Sequence, residues 1–208
     1  MIAIIDYKAG NLFSVARALT YLGVEFKVTN NIKDILDAER VIFPGVGSAG
    51  QAMEDLKRTG LDQVLYDFYN SSKPFLGICL GTQIILDESE ENHTACLGLI
   101  PGRVKRFPAP LFSDDGSLLK VPHMGWNQIK LNMQHPVFKD VPLENEFYFV
   151  HSYFPVPEDM EFIIGTTDYG INFASILGKK NLIALQFHPE KSGPPGLTIL
   201  KNFCYWNS

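Results

Sequence analysis

The sequence contains few cysteines, and their arrangement excludes two common roles for this residue. Cys79, Cys96 and Cys204 form an odd set without a CxxC spacing. Small disulfide-stabilised folds use an even number of cysteines, and structural zinc sites need clustered cysteines and histidines. We therefore expect free thiols, no bound metal and a reducing compartment, the cytoplasm.

The chain also lacks long apolar runs and an excess of basic charge. No apolar stretch approaches the roughly 20 residues that a membrane-spanning helix needs. Residues 1–6, MIAIID, lack the charged and longer apolar regions of a signal peptide. The formal net charge is −5 and there is no basic run, which argues against a nucleic-acid or anionic-lipid surface. We expect neither a membrane nor a nucleic acid among its partners.

The remaining composition is that of an ordinary globular protein. Of the 208 residues, 46% are hydrophobic and 20% are charged. A chain of this length buries about 70% of the surface that its unfolded form exposes, so it can fold without disulfides or metals. No internal repeat or linker divides the sequence, and we predict one domain over residues 1–208.

The first half of the chain alternates between strands and helices. Strands are predicted for residues 2–5, 24–28, 40–43 and 74–79, and helices for 12–21, 32–36, 51–59 and 61–69. The first helix has apolar residues at intervals of three and four. The strands are short apolar runs bounded by turn residues, except that residues 24–28 alternate between apolar and polar residues. This βαβαβαβ order predicts a mostly parallel central sheet flanked by helices, an α/β fold.

The second half changes character and reads as antiparallel β-structure. Strand-like runs occupy residues 102–107, 127–131, 147–150, 162–167, 173–177 and 182–186, with turn residues between them. Residues 107–116, FPAPLFSDDG, are predicted to be a loop, and 198–206 a closing helix. We expect these antiparallel strands to join the parallel core in the same domain.

The segment GICLGTQ, residues 77–83, contains the strongest chemical signal. An apolar strand enters it, a segment with helical potential leaves it, and glycines stand two residues on either side of Cys79. A nucleophile elbow has this organisation, because a sharp strand-to-helix turn exposes the nucleophile and places backbone N–H groups beside it. Considered alone, Cys79 also fits a buried structural cysteine, which is a common role for a free thiol.

Together with QFHPE at 186–190, this segment resembles the class I (triad) glutamine amidotransferases. The family patterns, G-x-C-x-G-x-Q for the nucleophile and H-P-E for its partners, are both intact, and the resemblance covers the whole chain. It implies that Cys79 attacks the side-chain amide of glutamine, while His188 acts as general base and acid. Glu190 would orient the imidazole. Glutamate and ammonia would be the products, and no cofactor is implied.

The same resemblance implies roles around the triad. The PGVG segment at 44–47 resembles the oxyanion loop, with N–H donors near Val46 and Gly47 and a further donor at Leu80. A plain turn is an equally good local interpretation of this segment. Substrate binding is implied for two side chains and for the backbone of a later segment, which are Gln83, Glu91 and His151, Ser152, Tyr153. Near Glu91 the acids Asp87, Glu88 and Glu90 leave the register of the ammonium ligand open.

Within the family, several segments are similar to the glutaminases that supply ammonia to a (βα)8-barrel cyclase in histidine biosynthesis. These are GNL at 10–12, HMGWN at 123–127, YFVHSY at 148–153 and HPEKS at 188–192. The similarity implies that Asn11, Trp126, Tyr148 and Lys191 contact the cyclase. For Trp126 and Tyr148, core packing is an equally good interpretation, and Lys191 also fits a plain surface charge.

Two other functions remain open from the sequence. A related glutaminase could serve a different synthase, such as one that modifies sugars in surface polysaccharides. A non-catalytic regulatory subunit could keep the fold without the reaction, although the intact triad and Gln83 argue against it. Residues 193–196, GPPG, follow HPEKS and are unusually rich in helix breakers.

Overall fold

A computed structural model describes residues 1–8, 11–142 and 144–207 of the chain. Gly10, the first residue of the GNL segment, and Ser208, the end of the predicted domain, lie outside these ranges. The first half contains the elements β1 (Ile2–Ile5), α1 (Leu12–Tyr21), β2 (Phe26–Thr29), α2 (Ile32–Asp37), β3 (Arg40–Gly45), α3 (Ala49–Thr59), α4 (Leu61–Asn70), β4 (Phe75–Cys79) and α5 (Leu80–Ile84).

The second half consists mostly of short strands and ends in one long helix. Its elements are β5 (Glu88–Ser89), β6 (Thr94–Ala95), β7 (Gly102–Arg106), β8 (Leu111–Phe112), β9 (Leu118–Leu119), β10 (His123–Gln128), β11 (Lys130–Leu131), β12 (Glu146–His151), β13 (Tyr153–Pro157), β14 (Ile163–Asp168), β15 (Asn172–Lys179), β16 (Leu182–Leu185) and α6 (Gly193–Tyr205). Short 3₁₀ turns cover Glu91–His93, Pro136–Phe138, Met160–Phe162 and Pro189–Lys191.

One eight-stranded sheet joins the two halves, in the order β11-β14-β15-β16-β4-β3-β1-β2. Strands β16, β4, β3, β1 and β2 run parallel to one another, whereas β15, β14 and β11 add an antiparallel wing beside β16. The predicted fold class, a mostly parallel α/β core with antiparallel strands from the second half, is therefore confirmed.

Helices cover both faces of the parallel strands, which explains why the inner strands β1, β4 and β16 are continuous apolar runs. Every residue of β1, β4 and β16 is buried. Successive side chains of a strand point to opposite faces. On β1, Ile2 and Ile4 accordingly pack in the cluster that includes α1 and α6, while Ala3 and Ile5 pack in the cluster formed with α2, α3 and α4.

Smaller sheets are built from the second half of the chain. Strands β10 and β12 form an antiparallel ribbon, and β13 belongs to a second sheet with the order β13-β7-β5-β6. Ser152 alone separates β12 from β13. The chain therefore passes from one small sheet to the other at residues 151–153, a segment predicted to bind substrate.

The structure corrects two predicted elements of the second half. The strand predicted at 127–131 is interrupted at Ile129, and the HMGWN segment forms β10, which pairs along its full length with β12. The loop predicted at 107–116 contains β8, which forms a two-residue ladder with β9. These ladders are stabilised by partners distant in the sequence, so local patterns did not reveal them.

The closing helix begins at Gly193, five residues before the predicted start. Two prolines occupy its first turn. Proline is favoured there because the first N–H groups of a helix have no partner within the helix, so the missing donor is not lost. Within the described ranges no helix has the combined length and apolar character of a membrane crossing.

Candidate active site

Cys79 lies at the sharp turn between β4 and α5 in an unusual backbone conformation. Its φ is 54° and its ψ is −107°, outside the regions that side-chain-bearing residues normally occupy. Such a conformation costs about 1–3 kcal/mol and persists only where the surrounding structure imposes it. Cys79 is 6% exposed. The strain therefore falls on the residue that the sequence identifies as the nucleophile.

The glycines beside Cys79 are required by lack of space. A Cβ on Gly81 would lie 1.9 Å from the carbonyl oxygen of Phe43, a backbone atom of the neighbouring strand. A Cβ on Gly77 would lie 3.2 Å from both the Ala184 Cβ and the Gly81 oxygen. These glycines therefore allow the elbow to pack against β3 and β16.

His188 and Glu190 form a buried pair just after β16. The Nδ1 atom of His188 lies 2.7 Å from Oε1 of Glu190, and both side chains are 1% exposed. Strand β16 is the parallel neighbour of β4. Parallel strands end at the same edge of a sheet, so the pair lies beside Cys79 although more than a hundred residues separate them in the sequence.

The charge environment favours a protonated His188. Burial alone would lower the pKa of the imidazole, but the neighbouring Cys79 sulfur and the Glu190 carboxylate raise it to about 10. Nε2 is buried and forms no hydrogen bond of ordinary length with the described residues. Because Nδ1 faces Glu190, Nε2 is the nitrogen available to Cys79 and to a reacting amide.

Asn11 is a third member of the hydrogen-bonded group formed by His188 and Glu190. Its Nδ2 donates to Oε1 of Glu190 at 2.8 Å. The residue has φ of 76° at the start of α1, and its side chain makes no capping hydrogen bond to that helix. The sequence assigned Asn11 to a partner interface; in the isolated chain its amide is directed at the carboxylate beside His188.

A cavity of about 380 Å³ opens in front of the cysteine. Its lining consists of Val46, Gly47, Cys79, Leu80, Gln83, Glu91, Pro122, Val150, His151, Ser152 and Tyr153. All eight predicted oxyanion and substrate residues are therefore brought together around Cys79. Pro122 and Val150 were not predicted from the sequence.

Among the four acids of the 87–91 stretch, only Glu91 lines the cavity. Its Oε2 also accepts from the N–H of Ala49, in the first turn of α3, at 2.6 Å. Asp87 instead accepts from the N–H of Gly102, and Glu90 from the N–H of Arg106. Of the four acids whose register the sequence left open, Glu91 is thus the one that faces the cavity.

The PGVG segment ends β3 directly opposite the nucleophile, because Gly45 and Cys79 are register partners. Gly47 has φ of +100°, which favours glycine. In the described structure, no acceptor is hydrogen-bonded to the N–H of Val46 or of Gly47. Leu80 is the first residue of α5, where an N–H has no partner within the helix. These three donors surround the cavity.

Two contacts of the sulfur were not predicted as roles. The Gln186 side chain directs its Nε2 at Cys79 Sγ, at 3.9 Å, and Sγ lies 3.9 Å from the carbonyl oxygen of Val150. Gln186 stands in the QFHPE segment, so its position in the motif was a usable signal. A backbone carbonyl such as that of Val150 leaves no signal in a sequence.

The other two cysteines lack these features. Burial is the main cause that raises the pKa of the Cys96 thiol to about 12 and that of Cys204 to about 11. Neither residue lines the cavity. Cys79 is therefore the one cysteine of the chain that combines strained geometry, a histidine and a cavity.

Three of the four predicted interface residues form one surface cluster. Trp126 and Tyr148 are cross-strand neighbours with ring centroids 5.8 Å apart, and Lys191 Nζ lies 5.6 Å from the centre of the Tyr148 ring. Trp126 is 52% exposed, so it is not a core residue, and Tyr148 is half-buried. The N–H of His188 donates to the carbonyl oxygen of Tyr148 at 2.9 Å, which joins this cluster to the site.

Comparison with solved structures places the fold among known amidotransferases. A structure titled PurLQS from Thermotoga maritima matches with a TM-score of 0.73 at 17% identity, covering 97% of this chain and 96% of that chain. A glutamine amidotransferase from Thermotoga maritima matches with a TM-score of 0.67 at 14% identity, covering 99% and 98%. At these identities the likeness concerns the fold alone.

Sequence comparison gives much closer relatives. The imidazole glycerol phosphate synthase subunit HisH of Maridesulfovibrio salexigens is 52% identical over 203 residues, covering 98% of this chain and 95% of that protein. The subunit of the same name from Neisseria meningitidis serogroup B is 47% identical over 210 residues, covering 98% and 99%. The family model described as glutamine amidotransferase class-I matches residues 3–206. This chain belongs to the class-I glutamine amidotransferase family.

Proposed function

We propose that this chain is the glutaminase subunit of an imidazole glycerol phosphate synthase. The observation that carries the proposal is the strained Cys79 at the edge of a cavity, beside the buried His188–Glu190 pair. The pathway is supported by relatives of about half identity over nearly the full chain, each named as such a subunit. The reaction is the hydrolysis of glutamine to glutamate and ammonia.

In the first half of the reaction, the amide of glutamine is exchanged for a thioester. The Cys79 thiolate forms a bond to the side-chain carbonyl carbon, and the carbonyl π electrons move to the oxygen. The oxyanion is stabilised by N–H groups of Val46, Gly47 and Leu80. His188 then gives its Nε2 proton to the amide nitrogen, the C–N bond breaks, and ammonia leaves with the bonding electron pair.

In the second half, water replaces the sulfur. His188, now neutral, takes a proton from water while the water oxygen attacks the thioester carbon. The C–S bond breaks, its electron pair returns to Cys79, and the new carboxylic acid of glutamate loses its proton to solvent. Glu190 stays ionised throughout, because its role is to orient the ring and to stabilise the imidazolium.

The cavity lining provides a complementary site for the amino-acid end of glutamine. Glu91 and the side-chain oxygen of Gln83 are acceptors suited to the α-ammonium group. Gln83 already uses its Nε2 group toward Tyr153 and Gln186, which leaves that oxygen for the ligand. Backbone N–H groups of the 151–153 segment are suited to the α-carboxylate. The bound substrate would then extend its amide toward Cys79.

The ammonia is used by a second protein, the synthase subunit. Ammonia that escapes into water is protonated, and its lone pair is then no longer available as a nucleophile. Direct transfer within a complex of the two subunits avoids this loss. We propose a (βα)8-barrel cyclase as the partner and the cytoplasm as the compartment. Trp126, Tyr148 and Lys191 would form part of the contact surface, next to His188. Asn11 would lie at its margin, between the partner and Glu190.

The test is a glutamate-release assay with purified chain and glutamine, with and without a barrel cyclase and its nucleotide substrate. We expect release that depends on Cys79 and is stimulated by the loaded cyclase. Cys79→Ser keeps the side-chain shape but removes the thiolate, and should abolish release. Cys96→Ser is the matched control, since it replaces a thiol that does not line the cavity, and should retain full activity.

Two results would contradict the proposal in different ways. If a glutamine-like alkylating agent labelled Cys79 but no cyclase stimulated release, the nucleophile would stand and the pathway assignment would fail. If Cys79 stayed unlabelled and no glutamate formed under any condition, the glutaminase function itself would be wrong.

A further inference from the structure

Two buried histidines at the cavity have side chains that take no part in the proposed reaction. His123 on β10 is 2% exposed and His151 at the end of β12 is 5% exposed. Their rings touch directly, with His123 Nδ1 at 3.1 Å from His151 Nε2. Each imidazole can donate or accept at either nitrogen. Which ring donates in this contact is therefore decided by the other hydrogen-bond partners of the two histidines.

The hydrogen-bond partners of His151 and of His123 both require that His123 donates to His151. Nδ1 of His151 lies 2.7 Å from the carbonyl oxygen of Tyr153, which can only accept, so this nitrogen carries the proton and Nε2 accepts. His123 must then donate from Nδ1 and accept at Nε2. Its Nε2 lies 3.3 Å from Nδ2 of Asn127, whose orientation is fixed independently because the same Nδ2 donates to the carbonyl oxygen of Asp168 at 2.8 Å.

A second series of hydrogen bonds joins the Tyr153 oxygen to the nucleophile. Gln83 donates from Nε2 to that oxygen at 2.9 Å and to Oε1 of Gln186 at 3.2 Å. Since the oxygen of Gln186 is occupied, its amide presents N–H to Sγ of Cys79. Two ordered hydrogen-bond series therefore meet at the Tyr153 oxygen, one from the HMGWN strand through the histidines and one through Gln83 and Gln186 to the sulfur.

The surroundings keep this order intact near neutral pH. The His123 ring stacks on Phe149 and Tyr169, with centroids 4.7 and 4.0 Å away. Burial lowers the pKa of His123 to about 4 and that of His151 to about 3. Protonation of His151 at Nε2 would set its N–H against that of His123, and protonation of His123 at Nε2 would set its N–H against the Asn127 amide. The neutral pair is therefore the form compatible with all of these contacts.

We propose that the neutral His123–His151 pair is a positioning device for the nucleophile. It fixes the Tyr153 carbonyl, the acceptor that His151 and Gln83 share, and through Gln83 it holds the Gln186 amide with N–H toward Cys79. An N–H group there stabilises the thiolate, whereas a carbonyl oxygen would repel it. This inference rests on the proposed glutaminase function and concerns residues that do not touch the substrate amide.

The test compares two substitutions of His123 that separate hydrogen bonding from packing. His123→Asn keeps a donor where Nδ1 stands but leaves a gap among the aromatic rings. His123→Phe fills the ring space but donates nothing to His151. A pure packing role predicts that the Phe variant performs better, whereas a positioning role predicts the opposite order.

The readout is the rate at which 6-diazo-5-oxo-L-norleucine, a glutamine analogue, alkylates Cys79 in the full chain. We expect His123→Phe to slow alkylation by about tenfold, the effect of one lost hydrogen bond, and His123→Asn to be affected less. His135→Phe is the control, because this half-buried histidine packs against Trp206 and is not part of the network. It should leave the rate unchanged. Circular dichroism verifies that all variants are folded.

Failure of the inference is distinguishable from failure of the function. If the analogue labelled the wild type and both His123 variants equally fast, or if His123→Phe reacted faster than His123→Asn, the positioning role would be overturned alone. An unlabelled wild type would overturn the glutaminase proposal, and the positioning role with it.

Discussion

Acid should weaken the fold through its buried histidines, and His123 allows the effect to be calculated. In the unfolded chain a histidine has its ordinary pKa of 6.5, whereas burial lowers the pKa of His123 to about 4 in the folded protein. As the pH falls, the unfolded chain binds the proton first. Protonation therefore draws the equilibrium toward unfolding, and stability is lost between about pH 7 and pH 4.

The magnitude follows from the two pKa values. At pH 5 this histidine is almost fully protonated in the unfolded chain and about one-tenth protonated in the folded one. Integrated from pH 7 to pH 5, the difference amounts to about 2 kcal/mol for His123. That is a large part of the stability of an ordinary domain. A His123→Phe variant has no proton to bind at this position and should escape this loss.

The assay is urea unfolding of the wild type and His123→Phe at pH 7, 6 and 5, followed by tryptophan fluorescence. The variant can be less stable at pH 7, since His151 loses its donor, so only the change with pH is compared. Carboxylates contribute equally to both proteins and cancel in the difference. We expect the wild type to lose about 2 kcal/mol more than the variant between pH 7 and pH 5.

Equal losses in the two proteins would refute the reasoning. They would mean that His123 binds its proton as readily in the folded state as in the unfolded state, which requires an accessible or reoriented ring. A larger loss in the variant would be a stronger contradiction, because it would make His123 a group that stabilises the fold in acid.

Three further predictions concern the elbow, the triad and one buried hydroxyl. Gly81→Ala should destabilise the fold by about 1–3 kcal/mol in urea unfolding, because the new Cβ would overlap a backbone atom. Gly50→Ala in helix α3 should instead stabilise the fold by about 0.5–1 kcal/mol. Equal effects of the two substitutions would contradict the crowding seen at the elbow. Glu190→Gln should lower glutaminase kcat by about 10²–10⁴-fold and lower the pKa of His188, visible as a shift in the pH–rate profile; an unchanged profile would exclude charge coupling of the pair. Tyr7→Phe removes a buried hydroxyl without a partner in the described structure and should be neutral or stabilising by about 1 kcal/mol, while a clear loss in urea unfolding would reveal a partner for it.

The parallel core could be predicted from the sequence because its signals are local. Strands β1, β4 and β16 are uninterrupted apolar runs, and α1 has the bounds predicted from its apolar spacing. The two-residue strands β5, β6, β8 and β9 could not be found in this way. A two-residue strand shows no periodicity, and it exists only because a distant segment supplies its hydrogen-bond partners.

The same distinction between local and long-range signals applies to the residues of the site. Cys79, His188 and Glu190 stand in short motifs whose internal spacing carries the chemistry, so the sequence alone could suggest them. The contact of Gln186 with the sulfur joins residues 107 positions apart, and that of His123 with His151 joins residues 28 apart. Such contacts depend on strand pairing, and nothing in the local sequence encodes their direction.

Strand order explains why the chemistry and the fold are inseparable at this edge of the sheet. β16, β4 and β3 are consecutive parallel neighbours. Their carboxyl ends respectively carry the histidine, the cysteine and the loop with the free N–H groups, although these groups are far apart in the sequence. The close approach at Gly81 presses the elbow against β3 and maintains the strained conformation of Cys79. The ladder that buries the core therefore also supplies the about 1–3 kcal/mol that this conformation costs. Loosening the packing between β3 and β4 should relax the nucleophile before it unfolds the protein.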